Sequence, residues 1–198
     1  MVVGTGTDVG KTWVSARRLE AWRAAGAKVA ARKPVQSYAP SDAVRDADVL
    51  AAATGETPEE VCPRHRWLPV AMAPPMATEV LGVEPITLSE LVSEIDFPDG
   101  VEDGLVETVG GVRSPVADNG DSVDLLAALA PEAVVLVADA GLGAINDVRL
   151  AVAAVIELST APIEVVLNRF DGTNDLHRRN VEWLSNHDGF QVTTEEDA

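Results

Sequence analysis

Only three lysines occur in 198 residues, against twelve arginines, and two of the three fall inside the motifs described below. The run Gly4-Thr5-Gly6-Thr7-Asp8-Val9-Gly10-Lys11-Thr12 combines glycines, a lysine and a hydroxyl in an order suited to one task. Glycines let the backbone curl so that successive N–H groups point at phosphate oxygens. Lys11 then neutralises charge on the outer phosphates, and the Thr12 hydroxyl can coordinate magnesium. Gly6, Thr7, Asp8, Val9, Gly10, Lys11 and Thr12 are therefore the candidate phosphate-binding residues. The loop is a lengthened variant, G-x5-G-K-T, because Thr5 holds the position where the strict pattern has its first glycine. Gly4, Gly6 and Gly10 do not match the G-x-G-x-x-G spacing of a dinucleotide loop.

Such a loop works only between a strand and a helix, and the flanking patterns supply both. Apolar runs that read as strands are Met1–Val3, Lys28–Arg32, Gly104–Glu107, Ala133–Ala138 and Ile163–Leu167. Amphipathic or alanine-rich stretches that read as helices are Lys11–Ala25, Ala43–Ala53, Ile86–Ile95, Ser122–Leu129, Ile145–Leu158 and Asn174–Asn186. Most of the strands are β-branched and nearly continuous in apolar character, as in a parallel sheet buried on both faces. The alternation predicts a three-layer α/β fold of the P-loop NTPase type, a mostly parallel sheet flanked by helices. One domain over 1–198 is expected. Residues 39–99 read as an irregular insertion over the active-site edge, and 193–198 as a frayed acidic tail.

The bulk numbers restrict partners. A net charge of −17 repels nucleic acid and anionic membranes and argues against both. No apolar run approaches the roughly 20 residues needed to cross a bilayer. A single cysteine, Cys62, leaves no internal disulfide framework, and the N-terminus lacks the pattern of an export signal. A cytoplasmic protein is expected. An acid-rich, lysine-poor composition further suggests adaptation to high salt, where carboxylate repulsion is screened.

With the phosphate loop placed, later motifs fall into register. Lys33-Pro34-Val35-Gln36-Ser37, Asp46-Ala47-Asp48, Val106-Glu107-Thr108-Val109-Gly110-Gly111, Asp139 through Asn146, and Val166-Leu167-Asn168 follow in order. With the loop, they resemble the motif series of the dethiobiotin synthetases over roughly Val2 to Asn168. That resemblance implies an ATP- and Mg2+-dependent ligase. It would close a cyclic urea from 7,8-diaminopelargonate and CO2 or bicarbonate through a phosphorylated carbamate. It implies catalytic roles for Lys11, Lys33 and Thr7, with Lys33 facing the γ-phosphate and the carbamate. Thr12, Asp48 and Glu107 would hold magnesium, with Asp46 a rival to Asp48. Asn168 would read the adenine edge, and Ser37 would bind the substrate. Gly143, Ala144, Ile145 and Asn146 would dock the substrate's carboxylate tail from a partner subunit, which implies a homodimer.

Three departures from that pattern stand out. Tyr38 follows the Lys33–Ser37 segment where the family has glycine. Thr108 and Val109 replace two smaller residues, and the usual adenine-framing segment near the C-terminus has no clear counterpart. The residues also fit two rival readings. One is another ATPase or amide-forming ligase of the same P-loop branch. The other is a degenerate nucleotide-binding module.

Overall fold

Strand periodicity along Val134–Asp139 shows how the layers arise. Val135 and Val137 pack into one buried cluster with Val14, Leu19 and Leu50, whereas Val134, Leu136 and Ala138 pack into another with Leu126, Val148 and Val155. Successive side chains of a strand point to opposite faces, so a strand apolar throughout needs cover on both. The computed structural model, which describes residues 1–194, supplies that cover.

In chain order the strands are β1 (Val2–Gly4), β2 (Val29–Arg32), β3 (Gln36–Ser37), β4 (Trp67–Leu68) and β5 (Asp103–Val106). They continue as β6 (Pro115–Ala117), β7 (Gly120–Asp121), β8 (Val134–Asp139), β9 (Ile163–Asn168) and β10 (Gln191–Thr194). The helices are α1 (Lys11–Ala24), α2 (Asp46–Thr54), α3 (Pro58–Val61) and α4 (Pro74–Leu81). They are followed by α5 (Leu88–Glu94), α6 (Ser122–Leu129), α7 (Ala144–Leu158) and α8 (Asp175–Glu182). Parallel strands run β1-β8-β9-β10, and β2 pairs in parallel with β5. A parallel bridge between Val2 and Glu107 joins the two sets. Helices α1 and α2 cover one face, and α6 and α7 cover the other.

This is the expected three-layer α/β architecture with a parallel sheet, and the differences are local. Helix α2 begins at Asp46 rather than Ala43, because Arg45 is extended (φ −107°, ψ 164°). The stretch 39–99 carries four short helices, α2 to α5. Leu68, Ala77, Ile86 and Leu91 from this region, and Val35 just before β3, share a third buried cluster with Val116 and Leu125. The helix expected over 174–186 passes into a π-helical turn, Trp183–His187. Thr193 and Thr194, expected to begin a frayed tail, instead pair with Val166 and Leu167 in β10. The rest of that tail, 195–198, lies outside the described residues.

Candidate active site

The phosphate loop leaves β1, crosses the sheet edge and enters α1. Its curvature depends on two residues with positive φ, Asp8 (59°) and Gly10 (94°). At Gly10 the requirement is also spatial, because a Cβ there would stand 1.8 Å from Asn168 Nδ2. Asn168, at the end of β9, is buried and donates from Nδ2 to the Val9 carbonyl at 2.9 Å. That bond fixes the amide's orientation and leaves Asn168 Oδ1 as a buried acceptor without a partner. Lys11 Nζ donates to the Gly6 carbonyl at 2.9 Å, folding the lysine over its own loop. Burial, with the nearby Lys33 charge, lowers the Lys11 pKa to about 8.

Facing the loop is a charged cluster drawn from four elements. Lys33, just past β2, is 1 % exposed, and Glu107, just past β5, is 0 % exposed. Lys33 Nζ lies 2.7 Å from Glu107 Oε1 and 2.6 Å from Asp46 Oδ2. Burial by itself would lower the Lys33 pKa, but the Asp46 and Glu107 carboxylates outweigh it and hold the ammonium charged. Thr12 Oγ1 sits 2.8 Å from Asp46 Oδ1 and 2.8 Å from Glu107 Oε1. Ser15, one turn along α1, donates to Glu107 Oε2 at 2.6 Å.

This cluster corrects one expectation. Asp46, not Asp48, joins Thr12 and Glu107. Asp48 lies two residues into α2 and turns back to cap it, with Oδ2 accepting from Arg45 N and Nε, each at 2.8 Å. Its Oδ1 accepts from Arg45 Nη2 at 2.9 Å. A helix start prefers an acid in its first turn, and Arg45 holds this one in place. Arg45 in turn lies over the Trp67 ring at 4.2 Å from its centroid, as does Arg64 at the same distance.

The oxygens of Thr12, Asp46 and Glu107 fit a divalent cation. The two carboxylates carry one more charge than the Lys33 ammonium between them offsets, and hard oxygens are the donor set magnesium takes. Among the described residues no larger cluster of metal-ligating side chains occurs.

Loop and cluster share a cavity of ≈ 480 Å³ whose walls include Thr7, Lys11, Thr12, Lys33, Ser37 and Asp46. Tyr38 and Arg45 form part of the same wall. Gln36 and Arg169 also contribute; neither was singled out from sequence. Arg169 Nη2 donates to the Asp8 carbonyl at 2.6 Å, tying the end of β9 to the loop. Ser15 carried a usable signal, since it stands one helical turn after Thr12 on the same face. Gly143, Ala144, Ile145 and Asn146 are not in this cavity. They open α7, where Gly143 (φ 102°) provides no side-chain cap.

Comparison with known proteins agrees with this geometry. A family model described as an AAA domain matches residues 1–194. The ATP-dependent dethiobiotin synthetase of Haloferax mediterranei is 36% identical over 197 residues, 98% of this chain and 81% of that protein. The one from Caulobacter sp. strain K31 is 34% identical over 88% of this chain and 77% of its own length. Among solved structures, signal recognition particle receptor FtsY from Elizabethkingia anophelis superposes with a TM-score of 0.57 at 18% identity. That match covers 98% of this chain and 56% of FtsY. A plasmid partition protein from Borrelia burgdorferi B31 gives 0.56 at 13% identity, over 100% and 84%. The two structures share the P-loop fold with this protein, and the sequence matches place the chain in the dethiobiotin synthetase family.

Proposed function

We propose that this protein closes the ureido ring of dethiobiotin from 7,8-diaminopelargonate, CO2 and ATP. The observation that carries the reading is the buried Lys33. Its ammonium lies between Asp46 and Glu107 at a cavity that Lys11 and Thr12 also line. A nucleotide-binding module has no evident use for a second buried lysine there.

The chemistry divides among the chain's own groups. One amine of the diamine adds to CO2 and loses a proton, giving a carbamate. A carbamate oxygen then attacks the γ-phosphorus, and ADP leaves. Finally the second amine attacks the carbamoyl carbon, expelling phosphate and a proton as the ring closes. Phosphoryl transfer spreads negative charge over equatorial oxygens, so positioned cations supply most of the catalysis. Lys11 holds the outer phosphates and Lys33 faces the oxygen being phosphorylated. Thr12, Asp46 and Glu107 would hold Mg2+, which neutralises phosphate oxygens when bound. Thr7 and Ser37 offer hydroxyls to the nitrogen or carbamate end. The free Oδ1 of Asn168 suits the exocyclic amine of adenine.

A homodimer completes the site in this reading. The N–H groups opening α7 at Gly143, Ala144, Ile145 and Asn146 bind the tail carboxylate of the substrate in the partner's cavity. Leu142 is 92 % exposed beside them and Leu150 is 65 % exposed on the same helix, an apolar surface suited to contact between copies. The buried thiol of Cys62 suits a reducing cytoplasm, and among the described residues no helix is long and apolar enough to cross a membrane.

The test is phosphate release from ATP and Mg2+ with bicarbonate, with and without the diamine. Diamine-dependent release with a cyclic urea seen by mass spectrometry supports the ligase. Release indifferent to the diamine moves the substrate elsewhere within the same P-loop branch. No release favours a degenerate binding module.

A further inference from the structure

Among the described residues, four buried side-chain nitrogen or oxygen atoms have no hydrogen-bond partner: Arg18 Nε, Gln36 Nε2, Ser37 Oγ and Asn168 Oδ1. Folded chains satisfy nearly all such atoms, so exceptions call for an explanation. Two of the four, Gln36 and Ser37, lie in the cavity wall, and Asn168 bonds the phosphate loop beside it. Gln36 is the most constrained. It is 1 % exposed, and its Oε1 accepts from the Ala47 N–H at 3.1 Å. Only the carbonyl half of an amide accepts a hydrogen bond, so the NH2 must point the other way, with both protons unused. Turning it back would break the bond to Ala47, in the first turn of α2 and next to Asp46. The donor is therefore fixed in a wall that also carries Lys33, Ser37 and Thr12.

We propose that Gln36 is a specificity-determining substrate residue whose amide N–H binds the carbamate oxygen that does not attack phosphorus. This rests on the ligase reading and assigns a side chain outside the phosphate loop and the carboxylate cluster. A neutral donor discriminates by what it faces. A protonated amine offers only hydrogens and is repelled by the NH2, whereas a carbamate oxygen accepts from it and carries charge. Gln36 thereby favours the carbamated diamine over the free diamine, and its bond to Ala47 holds that preference in register with Asp46.

Two variants test the contact in the full chain with Mg2+. Gln36→Glu keeps an acceptor for Ala47 and replaces the donor by an oxygen. Gln36→Met keeps the length with only a weak acceptor and no donor. Three quantities are read: the KM for the diamine in cyclic-urea formation, the carbon-13 signal of bound carbamate from labelled bicarbonate without ATP, and calorimetric affinity for a non-hydrolysable ATP analogue. The expected result is a diamine KM raised roughly tenfold or more and a lost carbamate signal, with analogue affinity within about twofold of wild type. An unchanged KM overturns the contact, as does an analogue affinity that falls in step with KM, the mark of a purely structural role through α2. A wild type that makes cyclic urea alongside unaffected variants removes only the Gln36 contact. A wild type that makes neither carbamate nor cyclic urea removes the ligase reading and this contact together.

Discussion

Lys33 Nζ and Glu107 Oε1 are 2.7 Å apart with both side chains buried, so Lys33 neutralises Glu107 while sharing its charge with Asp46, 2.6 Å away. Removing one member of such a pair leaves an uncompensated buried charge. Lys33→Ala is expected to destabilise the fold by about 3–5 kcal/mol as well as abolish turnover. The double variant Lys33→Met, Glu107→Gln should recover most of that stability and none of the activity. Denaturant unfolding and ring-closure assays on the same preparations check both halves. A single variant as stable as wild type would show that the pair does not carry this charge balance.

The neighbouring carboxylates should separate cleanly. Asp46 lies against Thr12 and Lys33, whereas Asp48 is held by Arg45. Asp46→Asn should raise the Mg2+ concentration for half-maximal activity roughly tenfold or more. Asp48→Asn should leave that concentration alone and cost about 1 kcal/mol through the weakened helix cap. Magnesium titrations and thermal melts on the two variants decide it, and the reverse pattern would restore Asp48 as the ligand.

Gly10 tests the contact between loop and strand end. A methyl group there meets Asn168 Nδ2 at 1.8 Å in a backbone of positive φ. Gly10→Ala should push Asn168 off the Val9 carbonyl and weaken ATP binding by about tenfold or more, while leaving the sheet folded. Calorimetry with ATP and far-ultraviolet circular dichroism would show the two effects apart. Wild-type affinity in this variant would mean the loop tolerates the displacement.

Acid sensitivity should trace in part to Glu94. Hydrogen bonds from Arg66, at 2.8 and 2.6 Å, depress the Glu94 pKa below the ordinary glutamate value and tie α5 to the turn at Arg64–Arg66. A depressed folded-state pKa stabilises above the unfolded value, near 4.3, and that contribution vanishes as pH falls through the folded one. Glu94→Gln should therefore be less stable by about 1–2 kcal/mol at neutral pH, with the gap closing in acid. Stability curves of both proteins against pH would reveal a constant gap if the ion pair is not its source.

Salt should stabilise the native state. With 32 acidic side chains against 15 lysines and arginines, the protein has too few cations to answer its carboxylates. Raising ionic strength from about 0.1 M to about 1 M shortens the screening length from about 10 Å to about 3 Å. Melting temperature should rise by several degrees across that range (of the order of 1 kcal/mol). A flat profile would remove the high-salt reading.

The order of strand, glycine-rich loop and helix was legible in the chain because local patterns encode it. Apolar β-branched runs and the Gly4–Thr12 spacing both act within a few residues. The Gly4–Thr12 spacing identified Lys11 and Thr12, and the resemblance to the dethiobiotin synthetases added Lys33 and Glu107. Local pattern could not choose between Asp46 and Asp48, two residues apart, because the choice depends on where α2 begins. That start is fixed by an extended Arg45 lying over Trp67, twenty-two positions away in sequence. Nor could it single out Gln36, whose meaning rests on a bond to Ala47 and on an unmatched NH2 in a cavity wall. The last strand, Gln191–Thr194, was hidden by its polar, acid-flanked composition and forms because β9 offers it a free edge. The sequence by itself determined which residues could bind phosphate and carry charge. Only the tertiary structure decided which of them meet, since burial and pairing across long separations set each group's partner.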